Sequence, residues 1–168
     1  MRNSMIKTAI AALALALATA PAMAGDSTYE IKLMTPETAL KAVQAALQSC
    51  RADGYQVAVA VVDRGGNVQA AVRDRFAGAH TIDTAAGKAW TAVSFRTNTS
   101  ELVEMTAPGK PASGIRHLPK VVIVGGGMKV ESAGQIVAGI GVSGAPGGHL
   151  DDKCAAAGIK AIQESLDF

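Results

Sequence analysis

A short β-hairpin is the clearest local feature of this sequence. Residues 56–62 are rich in valine, which is typical of a buried strand. Residues 63–67, Asp-Arg-Gly-Gly-Asn, have the composition of a tight turn, and residues 68–73 are predicted to return as the second strand. A strand pair joined by so short a turn is antiparallel, which favours folds built on an antiparallel sheet.

Helical patterns and a second strand pair surround this hairpin. Thr35-Pro36-Glu37 has the composition of a helix start, and apolar residues follow at helical spacing as far as Asp53-Gly54. Two more helices are predicted over residues 82–93 and 99–106, then a loop over 108–119, and a last helix capped by Asp151. Residues 121–124 and 135–142, with three glycines after the first segment, are predicted to form the second hairpin. The order α-β-β-α-α-β-β-α predicts an α+β domain, an antiparallel sheet built from two β-hairpins and flanked by helices.

The first 24 residues have the layout of a cleavable secretion signal. Arg2 and Lys7 provide the positive start, an apolar run follows, and residues 21–24, Pro-Ala-Met-Ala, offer small residues to a signal peptidase. The apolar run is shorter than the roughly 20 residues that cross a bilayer, which disfavours a membrane anchor. We therefore expect a signal peptide at 1–24, a short polar lead at 25–34 and one soluble domain at 35–168, located in the periplasm or secreted.

The charge pattern of the predicted mature chain argues against a nucleic-acid partner. The whole sequence has 16 Lys and Arg residues against 14 Asp and Glu residues. Because Arg2 and Lys7 belong to the predicted signal, the remainder is formally neutral. It also lacks a basic block interleaved with aromatic residues, the pattern expected of a nucleic-acid interface.

The two cysteines of the chain are Cys50 and Cys154. Cys50 falls near the end of the first predicted helix, and Cys154 falls near the start of the last. If those helices pack antiparallel, the two sulfur atoms meet, and an exported protein would keep the disulfide. Two small buried thiols are the alternative.

A glycine-rich segment at residues 139–144, Gly-Ile-Gly-Val-Ser-Gly, matches two better-known motifs. It fits the dinucleotide pattern G-x-G-x-x-G, but too little chain follows for the βαβ unit that this pattern opens. It also resembles a hydrolase nucleophile elbow, in which an acid and then a histidine follow the serine, whereas here His149 precedes Asp151. We interpret the glycines as positions where two backbones approach closely.

Three histidines, His80, His117 and His149, lack the spacing of a zinc site or of covalent haem attachment. His80 directly precedes a predicted helix and follows Arg73 and Arg75 closely. An imidazole can ligate haem iron and guanidinium groups can bind propionates, so this combination is compatible with haem.

Lys88 lies in an alanine-rich part of the second predicted helix. Its aliphatic stem is expected to cover apolar surface while the ammonium group stays in water. A catalytic lysine would need burial and a partner, which the sequence does not reveal.

Taken together, five motifs resemble the GlcG/HbpS family, which is related to the C-terminal domain of PduO-type proteins. They are, in order, Val62-Asp63-Arg64-Gly65-Gly66-Asn67, Ala85-Ala86-Gly87-Lys88-Ala89, Gly125-Gly126-Gly127, Gly139-Ile140-Gly141-Val142-Ser143-Gly144, and Asp151-Asp152-Lys153-Cys154-Ala155 with Gly158. The resemblance runs from about Thr35 to the C-terminus. It implies a layered domain with an antiparallel sheet, a homo-oligomer and haem binding, and in one member partnership with a sensor kinase. Haem degradation has also been attributed to the family.

The resemblance implies an exported haem-binding protein that scavenges, buffers or senses haem or iron. His80 is the preferred iron ligand, before His149 and His117. The residues expected to meet the propionates are Arg73, Arg75 or Lys88, and those expected to touch the porphyrin are Phe76, Trp90 and Phe95.

Two alternatives remain open, and no catalytic residue is assigned. One is an enzyme or accessory subunit acting on a small organic acid or other metabolite, with Lys88, Asp63 and Ser143 as its candidate polar groups. The other is a structural oligomer that partners a membrane sensor.

Overall fold

The first hairpin forms where the sequence predicts it, as strands β1 (Ala58–Asp63) and β2 (Val68–Arg73). The backbone amide of Asp63 donates to the carbonyl of Asn67 at 2.8 Å, and Gly66 takes a φ of +84° in the turn between the strands. A positive φ is the conformation that a glycine adopts without steric cost. The computed structural model describes residues 27–166, so the predicted signal peptide lies outside the described residues.

Helices precede and follow the hairpin in the predicted order. In chain order the elements are α1 (Pro36–Ala52), β1, β2, α2 (Thr81–Phe95), α3 (Thr99–Met105), a 3-10 helix (Ser113–His117), β3 (Gly127–Ser132), β4 (Gln135–Ser143), α4 (Gly148–Lys160) and α5 (Gln163–Leu166). All of them belong to one compact unit, Lys32–Phe168, while residues 27–31 belong to a separate unit and are exposed without helix or strand. Within residues 27–166, none of the helices is both long and apolar enough to cross a membrane.

The four strands form a single sheet in the order β2-β1-β4-β3, and every neighbouring pair is antiparallel. The two hairpins therefore meet along β1 and β4, in the middle of the sheet. The predicted α+β class, an antiparallel sheet of two hairpins flanked by helices, is confirmed.

The two faces of the sheet carry side chains of different size. On β1, Val59 and Val61 join the larger core under α1 and α4, whereas Ala58 and Ala60 form a small cluster with Ala85 of α2. Successive strand residues point to opposite faces, so the alternation of valine and alanine creates this asymmetry. The consequence is a thick aliphatic layer on one side and very close packing on the other.

Helix α2 rests directly on the glycines of β4. A Cβ atom added to Gly141 would lie 2.0 Å from the carbonyl oxygen of Ala85, and one added to Gly139 would lie 2.6 Å from that of Ala89. No side chain fits into such a gap. The interpretation of this motif as a place of close backbone approach, instead of a nucleotide site, agrees with the packing.

On the opposite face, a disulfide joins Cys50 of α1 to Cys154 of α4, with a Cα–Cα distance of 5.5 Å. Both cysteines are fully buried in the larger core. The predicted pairing is confirmed, and it ties the two helices together through cysteines that are 104 positions apart in sequence.

Two local predictions are wrong. Residues 121–124 do not form a strand, and β3 begins only at Gly127. The amide of Val122 donates to Thr91 Oγ1 of α2 at 2.9 Å, so this valine-rich segment follows the helix and leaves the sheet edge to the residues after the glycines. The last helix is capped by Gly147 instead of Asp151 and stops at Lys160, with α5 as a separate turn.

Candidate functional site

A cleft of about 590 Å³ opens where β4 ends and where α2 and α4 begin. We call it the main cleft; the lining residues that matter most are Gln56, Phe76, His80, Lys88, Ser143 and Asp151. Its volume lies within the range of roughly 300–1,000 Å³ that is usual for small-molecule sites. The end of an antiparallel strand and two helix N-termini therefore converge on one concave surface.

An ion pair buried at both ends forms part of the cleft wall. Lys88 Nζ donates to Asp151 Oδ2 at 2.8 Å and to the carbonyl oxygen of Val142 at 2.9 Å. The two charged side chains are only 2% and 4% exposed. The expectation that the Lys88 ammonium stays in water is therefore wrong.

The close packing of α2 explains why Lys88 is buried. A Cβ atom on Gly127 would lie 2.4 Å from the carbonyl oxygen of Lys88, so the helix backbone touches β3 at this point. With the helix so near to the sheet, the side chain extends along the sheet to the end of β4 instead of outward to solvent.

Asp151 holds the ammonium group from the first turn of α4. Its Oδ1 atom accepts a hydrogen bond from the amide of Ala145 at 3.1 Å, while Oδ2 accepts the bond from Lys88. Burial raises the pKa of Asp151, and this effect outweighs the hydrogen bond and the charge of Lys88, which lower it. A buried ion pair with a shifted carboxyl pKa beside a cleft is a frequent property of functional sites.

His80 and Phe76 also line the main cleft, and both are exposed. His80 is the residue directly before α2, and Phe76, in the segment between β2 and α2, is 79% exposed. Such exposure leaves the imidazole and the ring free to contact a bound molecule.

Arg73 and Arg75 do not line the main cleft, although they lie close to it in sequence. Arg73 Nη1 donates to the carbonyl oxygens of Asp74 and Ala77, and the Arg75 guanidinium carbon lies 6.0 Å from the centre of the Phe76 ring. Arg73 therefore shapes the segment that carries Phe76, and the Arg75 guanidinium lies over one face of a ring that stays largely exposed.

The other predicted site residues lie elsewhere. His149 and Asp152 line an adjoining cleft of about 470 Å³ that shares Val124 with the main cleft, and Trp90 lines a separate one of about 360 Å³. His117 ends the 3-10 helix. The structure thus brings His80, Lys88 and Phe76 to one cleft but places the other histidines and Trp90 outside it.

Asp151 is not predictable as the partner of Lys88 from local sequence, because the two residues are 63 positions apart. A lysine in an alanine-rich helix together with glycine-rich strands indicates close packing, and this is the signal that points to a buried lysine. Within residues 27–166, no group of three or more His, Cys, Asp and Glu side chains has an arrangement suited to a metal ion.

Known proteins share both the sequence pattern and the fold. The family model "Haem degrading protein HbpS-like" matches residues 34–160. A double mutant of Streptomyces reticuli HbpS is 41% identical, superposes with a TM-score of 0.77, and the match covers 86% of this chain and 98% of that one. The structure of a PduOC–haem complex is 31% identical with a TM-score of 0.73, over 77% of this chain and 95% of that chain.

A longer protein contains the same domain. The corrinoid adenosyltransferase PduO of Salmonella typhimurium is 35% identical over 103 residues, which are 60% of this chain but only 31% of that protein. The similarity therefore concerns one part of PduO. With a family model that spans nearly all of the described residues, the chain belongs to the HbpS-like family.

Proposed function

We propose that this protein is an exported haem-binding protein and that the main cleft is its haem site. The observation that carries the proposal is the exposed His80 imidazole on the rim of a cleft of about 590 Å³, in a chain similar to a domain whose structure is a haem complex. Haem, when bound, supplies an iron atom that an imidazole can ligate.

The residues of the cleft fit such a group. His80 offers a nitrogen ligand for the iron, and Phe76 and Val124, which are 79% and 49% exposed, offer apolar surface for a porphyrin face. Lys88 and Ser143 offer polar contacts deeper in the cleft. This combination of apolar walls with a few polar groups is typical of a cofactor site.

Titration of the purified mature protein with hemin, followed by absorbance, tests this function. We expect a Soret band for the wild type. For His80→Ala we expect at least a roughly tenfold loss of affinity, because even residues that only hydrogen-bond to a metal ligand contribute that much. His117→Ala and His149→Ala are the matched controls, because neither histidine lines the main cleft. Equal affinity in all four proteins, or no Soret band, would refute the proposal.

The exported location is part of the proposal. The layout of residues 1–24 and the buried disulfide support it, since disulfides persist in oxidising compartments. N-terminal sequencing of the protein recovered from the periplasm or medium should begin at Gly25. A full-length chain recovered only from the cytoplasm would contradict the proposal.

The biological use of the bound haem remains a prediction, namely scavenging, buffering or sensing. The homo-oligomer and the membrane sensor partner are likewise predictions. A second candidate function, an accessory subunit or enzyme for a small organic acid, is favoured by the position of Lys88 and Ser143 in the main cleft. Asp63, the third residue considered for it, instead binds Asn67 in the β1–β2 turn.

A further inference from the structure

We propose that the floor of the main cleft, formed by Ser143 and Lys88, binds the carboxylate group of a small molecule. This carboxylate site lies in the same cleft as the proposed haem site, but it does not require that the ligand is haem.

Ser143 is the first indication of such a site. It is the last residue of β4. Because residues two positions apart in a strand share one face of the sheet, Ser143 lies on the same face as Gly141, which is the face covered by α2. The residue is 6% exposed and lines the main cleft, yet within residues 27–166 its hydroxyl group has no hydrogen-bond partner. The hydroxyl is not among the buried unpaired atoms of the described residues, so it is open to the cleft and can bond to a ligand that binds there.

Lys88 supplies a second donor next to it. The ammonium group donates to Asp151 and to the carbonyl of Val142, the residue before Ser143, which uses two of its three N–H bonds. The ammonium group therefore lies beside the Ser143 backbone and keeps one donor. An ammonium N–H and a hydroxyl side by side can each donate to one oxygen of a carboxylate.

Two further features of the cleft bear on the ligand. Gln56 Oε1 is buried without a partner, and because an amide oxygen only accepts hydrogen bonds, it suits a donor group of the ligand other than its carboxylate. The Gln56 backbone lies against Gly144, the residue after Ser143. The N-terminus of α4, where Gly147 provides no side-chain cap, adds a partial positive charge.

The charge balance favours a singly charged carboxylate over phosphate. Asp151 neutralises Lys88, and Asp152 contributes another negative charge on the same helix turn. A phosphate dianion would be repelled by Asp151 and Asp152 more strongly than a ligand with a single negative charge. A ligand carboxylate has that single charge, and its two oxygens match the two donors.

The test compares Ser143→Ala with Ser49→Ala. Ser143 has no protein partner, so its hydroxyl can be removed without loss of an internal hydrogen bond. Ser49, on α1, likewise has no side-chain hydrogen bond within residues 27–166 and does not line the main cleft. The probes are propionate and propionamide, followed by NMR chemical-shift titration, and hemin and its dimethyl ester, followed by absorbance.

We expect Ser143→Ala to weaken binding about tenfold, the effect of one hydrogen bond to a charged group. If free small acids are the source, propionate binds the wild type, propionamide does not, and Ser143→Ala weakens propionate. If haem propionates are the source, Ser143→Ala weakens hemin but not its dimethyl ester. Ser49→Ala should match the wild type in both arms.

Equal binding of propionate and hemin by Ser143→Ala and the wild type would overturn the carboxylate site. The result is independent of the haem proposal. Propionate binding without a Soret band would support the carboxylate site and refute the haem site, whereas hemin binding that ignores Ser143 would do the opposite.

Discussion

Two ion pairs in this protein have the same length, but the pKa values of their carboxyl groups are shifted in opposite directions. Lys88–Asp151 in the main cleft and Arg51–Asp74 between α1 and the end of β2 both have a nitrogen–oxygen distance of 2.8 Å. Both carboxylates are buried, so the difference lies in the cations: the Lys88 side chain is buried, whereas the Arg51 side chain is 49% exposed. Burial raises the pKa of Asp151, and the hydrogen bond from Arg51 lowers the pKa of Asp74.

The difference shows that contact distance does not determine what an ion pair does. Arg51 binds both oxygens of Asp74 through Nε and Nη2, so this pair fastens the end of the first hairpin to α1. Lys88 and Asp151 lose their hydration and recover it only partly from each other, which makes their pair costly for folding. We infer that Arg51–Asp74 serves the stability of the fold and that Lys88–Asp151 serves the function of the main cleft.

The disulfide provides the largest expected effect, because it joins two cysteines that are 104 positions apart. It also connects the helices that carry one member of each pair. Cys50 precedes Arg51 on α1, and Cys154 lies one turn after Asp151 on α4. Cys50→Ala with Cys154→Ala should lower the free energy of unfolding by about 4–5 kcal/mol on the chain-entropy model. Denaturant unfolding measures this loss, and an unchanged midpoint would show that the disulfide does not stabilise the fold.

Removing the ammonium group from the cleft pair should have the next largest effect. Lys88→Met leaves Asp151 buried without its charged partner, so we expect a loss of about 3–5 kcal/mol in the free energy of unfolding. The double variant Lys88→Met with Asp151→Leu should regain most of that stability. A double variant as unstable as the single one would indicate that packing, and not the unpaired charge, is responsible.

Removing the cation of the other pair should cost less. Arg51→Gln leaves Asp74 without its fork of two hydrogen bonds, but the Arg51 side chain is about half exposed and water can replace it. We expect a smaller shift of the urea midpoint than for Lys88→Met, measured under the same conditions. A larger shift would reverse the assignment of the two pairs.

The smallest effects concern pH, and the two carboxyl groups should act in opposite directions. Asp74, with its lowered pKa, stabilises the fold above the unfolded value of about 3.9 and loses that contribution as the pH falls below it. Asp151, with its raised pKa, favours folding at low pH and loses that contribution as the pH rises through its folded pKa.

Unfolding of Asp74→Asn and Asp151→Asn across pH 3–8 separates these contributions. Asp74→Asn should remove part of the loss of stability below about pH 4, and Asp151→Asn should remove part of the loss above it. Slopes of the same sign in both variants would contradict the opposite pKa shifts of the two carboxyl groups.

Much of the fold followed from local sequence, and most of the cleft did not. The first hairpin depends on a valine-rich strand and a five-residue turn, both visible in residues 56–73. The glycines at 139 and 141 predicted close packing because only a missing Cβ permits it. The strand predicted over residues 121–124 is wrong because β-branched residues also occur in extended segments that pair with no strand. Here the segment lies along α2.

The Lys88–Asp151 pair could not be predicted because it depends on how three segments meet. The depth at which α2 packs on β4, the position of the α4 N-terminus and the end of β4 together decide that Lys88 is buried. By contrast, His80 could be selected as a candidate because its place before a helix is a local property.

Line broadening in ¹H–¹⁵N NMR spectra on addition of ferric hemin tests the position of the ligand site most directly, with gallium protoporphyrin as the diamagnetic control. We predict that hemin broadens the amides of residues 76–84 and 143–148 around the main cleft and leaves the Trp90 indole of the separate cleft sharp. Broadening centred on Trp90, His117 or His149, with residues 76–84 unaffected, would contradict a ligand site in the main cleft.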